Sequence, residues 1–120
     1  MAITDRITDQ ITDHITDLDG LRDALRAFAA ARDWPQYHTP KNLSMALIKE
    51  AAEIVEHFQW ATAEESRQLT PQQKAEVADE IADVLMYLVR LADVLTIDPL
   101  DAARQKIIKN AVKYPAPKND

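Results

Sequence analysis

Four carboxylates carry most of the chemistry legible in this chain. Glu50 and Glu53 stand three residues apart, and Glu80 and Asp83 repeat that spacing. On a helix, at about 100° per residue, each pair projects from one face. Around the first pair, Leu47, Ala51, Ile54, Val55 and Phe58 form an apolar arc that the acids flank. Around the second, Val84, Tyr87, Leu91 and Val94 fall within about 40° of Glu80 or Asp83. That helix points two acids toward its own packing face. Carboxylates gathered in a partly dry site repel one another and lose hydration, which raises their pKa values. A divalent cation relieves both penalties, and an all-oxygen donor set selects a hard ion such as Mg²⁺, with Mn²⁺ as a substitute. Either pair alone would read as an ordinary solvated helix face. Two pairs on consecutive helices, one of them inward, favour a metal. A ferritin-like di-iron site needs Glu-x-x-His on two helices. Here Ile54 stands three residues before His57, and the helix carrying Glu80 has no His.

Four core helices are expected to position these acids. The first starts near Leu18 with Asp17 or Asp19 as cap; Leu21, Leu25 and Phe28 recur at helical spacing, and it ends before Trp34-Pro35. The segment from Arg32 to Pro40 carries two prolines, Trp34, Tyr37 and His38, a loop composition suited to lining a ligand site. The second helix is predicted over about 42–59. After a connecting loop at 61–70, Thr70-Pro71 caps and starts the third, which runs to about Leu95. Asp98-Pro99 opens a shorter fourth to about Val112, and Tyr114-Pro115-Ala116-Pro117 cannot continue it. These boundaries define a domain over 18–114, with an extension at 1–17 and a tail at 115–120. The extension holds four Ile-Thr-Asp units, at Ile3, Ile7, Ile11 and Ile15. Ile at every fourth position drifts around a helix by roughly 40° per step. Thr and Asp are weak helix formers, so the segment reads as a flexible extension or a frayed helix.

Bulk properties agree with a small all-α domain. The chain has 120 residues, 47% apolar and 28% charged, with a single glycine. A bundle this short often completes its core by oligomerising. A net charge of −6 argues against a nucleic-acid polymer as partner, since such proteins present a basic face. A nucleotide stays open, because a bound divalent cation reverses the local field. Cysteine is absent, which excludes disulfide and thiolate chemistry. The N-terminus is acidic and without an apolar segment, and no apolar run approaches the roughly 18 residues a membrane span needs. The expectation is a soluble cytoplasmic protein with no membrane partner.

Glu50-x-x-Glu53 followed by Glu80-x-x-Asp83 resembles the signature of the all-α nucleoside triphosphate pyrophosphohydrolases, a superfamily of MazG proteins, dimeric dUTPases and dCTP pyrophosphatases. Arg32-Asp33-Trp34-x-Gln36-x-His38-x-Pro40-Lys41-Asn42-Leu43 is similar to the segment before the metal helix in the MazG-like and dCTP pyrophosphatase branch. Phe58-Gln59-Trp60, Asp83-Val84-Leu85-Met86-Tyr87-Leu88 and Lys106-x-x-x-Asn110-x-x-x-Tyr114-Pro115 resemble the same branch. The likeness covers roughly residues 20–115. Two features depart from it. Lys49 stands where many MazG sequences carry an additional Glu, and the Ile-Thr-Asp repeat has no counterpart.

The resemblance implies a MazG-like, oligomeric bundle, a homodimer or homotetramer. It also implies Mg²⁺-dependent hydrolysis of a (deoxy)nucleoside triphosphate to monophosphate and pyrophosphate, with dCTP or a modified deoxynucleotide as first choice. Glu50, Glu53, Glu80 and Asp83 would hold metal, and Glu53 would orient or deprotonate the attacking water. Trp34, Trp60 and Tyr87 would stack on base or sugar. His38, Lys106 and Asn110 would contact base or phosphate, with Lys41 and Lys109 as weaker candidates. His14 and His57 read as incidental, and Phe58 as core or pocket wall. The alternatives are broad MazG-like specificity, a dUTPase-type enzyme that also accepts diphosphates, and a non-catalytic helical oligomerisation protein.

Overall fold

Among the described residues, every long helix from Leu18 onward begins at a side-chain cap that the sequence supplies. Asp17 accepts from Gly20 N at 2.7 Å and starts α1, Leu18–Ala30. Thr39 accepts from Asn42 N and starts α2, Pro40–Glu56. Thr62 and Glu65 form a reciprocal capping box on a one-turn helix, α3, Ala63–Ser66. Thr70 and Gln73 form another at the start of α4, Pro71–Val94. Asp98 accepts from Leu100 N and Asp101 N at the head of α5, Pro99–Lys113. Each such cap contributes about 1 kcal/mol. In this computed structural model, which describes residues 12–118, all regular elements are helical, with a 3₁₀ turn at Pro35–Tyr37 between α1 and α2. Most of the Ile-Thr-Asp repeat lies outside the described residues.

Helix ends are unusual for want of glycine. Asp33 and Thr96 both take the left-handed conformation, each at φ 56°. The following amides reach back five residues, Trp34 N to Ala29 O at 3.0 Å and Ile97 N to Ala92 O at 2.8 Å. This is the Schellman closure that glycine ordinarily serves. Asp tolerates it better than the β-branched Thr. The reversal at Asp33 folds Trp34 back onto α1, where its ring meets Phe28 edge-on at 5.7 Å.

α2 packs along α4, and α1 packs on the other part of α4. The core between them is small: Ala24 and Ala29 from α1, Leu43 from α2, and Val77, Val89 and Ala92 from α4 are buried. The predicted inner arc of α4 is partly or fully covered, as is that of α2 except for Val55, which is exposed. α5 has no comparable packing, and Ile107, Ile108 and Val112 stand largely in solvent, Val112 at 81%. Ile81, Leu85 and Leu88 form a second exposed stripe, on α4. Among the described residues no helix is long and apolar enough to cross a membrane.

Candidate metal centre and nucleotide site

Because α2 lies along α4, the two acidic pairs meet. Glu50, Glu80 and Asp83 each present a carboxylate oxygen within 4.8 Å of the other two. Glu53 sits beside them, within hydrogen-bonding reach of both Glu50 and Glu80. Nearby positive charge is sparse. Lys49 Nζ is 3.7 Å from Glu53 Oε1 on a mostly exposed side chain, and His57 Nε2 is 3.8 Å from Glu80 Oε1. Glu80 Oε2 is buried with no hydrogen-bond partner, the one such side-chain atom among the described residues. Buried polar atoms are normally satisfied, so this oxygen faces a missing partner.

Proton affinities in the cluster follow from this crowding. Glu50 is raised above the ordinary carboxylate range, first by lost hydration and then by Glu53 and Asp83. Glu80 is raised chiefly by its hydrogen bond with Glu53, with lost hydration adding to it. Glu53 is lowered, because Glu80 and Glu50 both hydrogen-bond to it. The shifts are linked: the hydrogen bonding that favours an ionised Glu53 disfavours ionisation of Glu50 and Glu80. This donor set fits a divalent cation: it is all oxygen, has excess negative charge, and holds one orphaned oxygen.

A second constellation lies where α1, α4 and the 3₁₀ loop meet. Arg90 Nε donates to His38 Nδ1 at 3.0 Å, and Arg90 Nη1 donates to Asp93 Oδ2 at 3.2 Å. Arg26 donates to both oxygens of Asp93. These bonds hold Asp93 below its usual range, Arg26 being the larger cause. His38 is lowered by burial and then by the Arg90 charge. Its ring lies 6.0 Å from that of Trp34, and the Arg32 guanidinium covers Phe28 at 3.4 Å.

The sequence-predicted residues thus divide. Glu50, Glu53, Glu80 and Asp83 converge. Tyr87 is half-buried one turn beyond Asp83, and Trp34 and His38 adjoin each other. Trp60 is 89% exposed, and Lys106 and Asn110 lie exposed on α5; none of these three is brought to the carboxylates within the chain. A cleft of about 250 Å³ is walled by His57, Phe58, Leu69 and Gln73, and none of the four carboxylates lines it. It is smaller than the usual site for a drug-sized ligand. Sequence reasoning took His57 as incidental and did not single out Arg90 or Asp93. His57 is four residues after Glu53, and Arg90 is seven after Asp83. Helical spacing could have found both; nothing local pointed to Arg26.

Comparison with known proteins gives the family. The MazG-like family model matches residues 46–120, and the chain belongs to that family. It is similar to dCTP pyrophosphatase 1 of Homo sapiens, 41% identical over 101 residues, covering 82% of this chain and 59% of the relative. The counterpart from Bos taurus is 39% identical over 100 residues, with the same coverage. The chain therefore spans less than two thirds of these curated relatives. A crystal structure of a pyrophosphatase from Archaeoglobus fulgidus superposes with a TM-score of 0.75 at 38% identity, covering 97% of this chain and 99% of the other.

Proposed function

We propose that this chain hydrolyses a nucleoside triphosphate to its monophosphate and pyrophosphate with Mg²⁺, acting on dCTP or a related modified deoxynucleotide. The observation that carries the reading is the convergence of Glu50, Glu80 and Asp83, with Glu53 against them. Those four carboxylates would hold Mg²⁺, or Mn²⁺ in its place, which when bound neutralises phosphate charge and polarises the phosphoryl oxygen. Glu53, held below the ordinary carboxylate range by its hydrogen bonds with Glu80 and Glu50, suits the water-directing role. A water oxygen bonds to the α-phosphorus, the bond from that phosphorus to the bridging oxygen breaks, and pyrophosphate leaves. The water proton passes to Glu53 and then to solvent. Trp34 and Tyr87 offer stacking surface within the bundle, and His38 a polar contact beside Trp34.

Trp60, Lys106 and Asn110 enter this reading through a second copy. The exposed stripes of α4 and α5 would pair in a homodimer or homotetramer, bringing those residues to a neighbour's carboxylates. The catalytic unit is taken as 18–114, and the role as sanitation of a cytoplasmic nucleotide pool. The test is a panel of standard and modified nucleotides with Mg²⁺, scored for pyrophosphate against orthophosphate. Pyrophosphate release, strongest with a cytosine deoxynucleotide, is expected. Cleavage of dUDP indicates the dUTPase-type alternative, comparable rates across bases indicate broad specificity, and no release from any triphosphate leaves the non-catalytic reading. Sedimentation of Ile108→Asp/Val112→Asp against the parent chain checks the assembly, with a shift toward monomer expected.

A further inference from the structure

The base end of the proposed site contains a hydrogen bond with a chemical consequence. We propose that Arg90 is a positioning residue that fixes His38 with its ring proton on Nε2, so that His38 presents an N–H donor to an acceptor atom of the nucleotide base. This rests on the reading above, in which Trp34 and His38 face the base.

A guanidinium has only donors and stays protonated in proteins. The 3.0 Å contact from Arg90 Nε therefore requires a lone pair on His38 Nδ1, which leaves Nε2 to carry the proton of a neutral ring. The reverse tautomer would set N–H against N–H. Burial and the adjacent guanidinium charge both disfavour a doubly protonated ring. Arg90 is itself anchored: its side chain is 11% exposed and held by Asp93, 9% exposed, which Arg26 grips from α1. Among the described residues Nε2 has no partner, and it is not sealed away, since the only buried partnerless side-chain atom there is Glu80 Oε2. A fixed donor beside Trp34 matches a base carbonyl oxygen or an unprotonated ring nitrogen, both of which cytosine offers.

Nitrogen NMR of the full chain labelled at histidine tests the first half directly. His38, assigned by comparison with His38→Gln, should show a pyridine-like Nδ1 and a pyrrole-like Nε2 near neutral pH. A protonated Nδ1 overturns the proposal. Arg90→Met should lose the single-tautomer signature, and Arg90→Lys, which keeps a donor, should retain it. If Arg90→Met fails to fold, the parent spectrum alone decides. For the second half, His38→Phe should lower kcat/KM for dCTP by about 3–10-fold, mainly through KM and unequally among bases. Equal loss across all bases would mean a phosphate contact and overturn the base assignment. Absence of hydrolysis in the parent chain would defeat the functional reading while leaving the tautomer to be judged by the spectrum.

Discussion

Glu80 and Asp93 are carboxylates on the same helix, thirteen residues apart, in opposite surroundings. Asp93 is clasped by Arg26 and Arg90 and joins α1 to α4. Glu80 faces Glu53 and Asp83, with the His57 ring 3.8 Å away. One acid is satisfied by the fold, and the other keeps a buried oxygen without a hydrogen-bond partner. Groups kept in electrostatic frustration mark functional sites, whereas matched pairs mark architecture.

Substitutions should separate the two roles. Asp83→Asn or Glu53→Gln should cut pyrophosphate release by at least about 1000-fold, several kcal/mol of barrier. Helix content by circular dichroism should be unchanged, and metal-free melting no lower, because each removes charge from a self-repelling group. A matching loss of fold would erase the contrast. Asp93→Ala should act first on the fold. It leaves Arg90 buried without its partner and should cost about 3 kcal/mol in urea unfolding, the lower end for a broken buried pair because Arg26 stays solvated.

The pH dependences should also have opposite signs. Asp93 is lowered in the fold, so its contribution is present above the ordinary carboxylate range, near about pH 4, and is lost as pH falls through the lowered value. The stability gap between the parent chain and Asp93→Asn should close in acid. Glu50 and Glu80 are raised, so the cost of their charge beside Glu53 and Asp83 is absent at low pH and grows as pH rises through the raised values. Mg²⁺ should therefore raise the melting temperature at pH 8 and hardly at pH 4.5. At about ten times its Kd it should add roughly 1.4 kcal/mol at the higher pH. An equal response at both would detach the ion from the cluster.

Smaller effects sharpen the same contrast. Thr96→Gly relieves a left-handed β-branched residue at the end of α4 and should stabilise by about 1 kcal/mol, without effect on activity. Lys49→Ala removes an exposed pair with Glu53 and should change thermal stability by no more than about 0.5 kcal/mol. A large loss of activity in Lys49→Ala would instead place Lys49 within the reacting set.

Local chemistry made the helices legible in advance. Thr70-Pro71 and Asp98-Pro99 are start signals whose capping amides lie within three residues, so α4 and α5 begin where expected. The loop at 61–70 hid α3 because one turn offers too little periodicity to detect, although Thr62 and Glu65 form a capping box. The left-handed ends at Asp33 and Thr96 were also not legible, since neither residue is glycine.

The sequence by itself determined an all-helical chain and the faces carrying Glu50, Glu53, Glu80 and Asp83. Those properties follow from spacing along single helices. Only the tertiary structure decided that α2 lies against α4, so that acids about thirty residues apart share one site, and that Arg26, sixty-seven residues from Asp93, closes a network ending at His38. It also showed that α5 stays outside the packed core, which separates Lys106 and Asn110 from the acids within one chain. Side-chain periodicity says which way a residue points along its own helix; what it meets there depends on packing between helices, which no local pattern encodes.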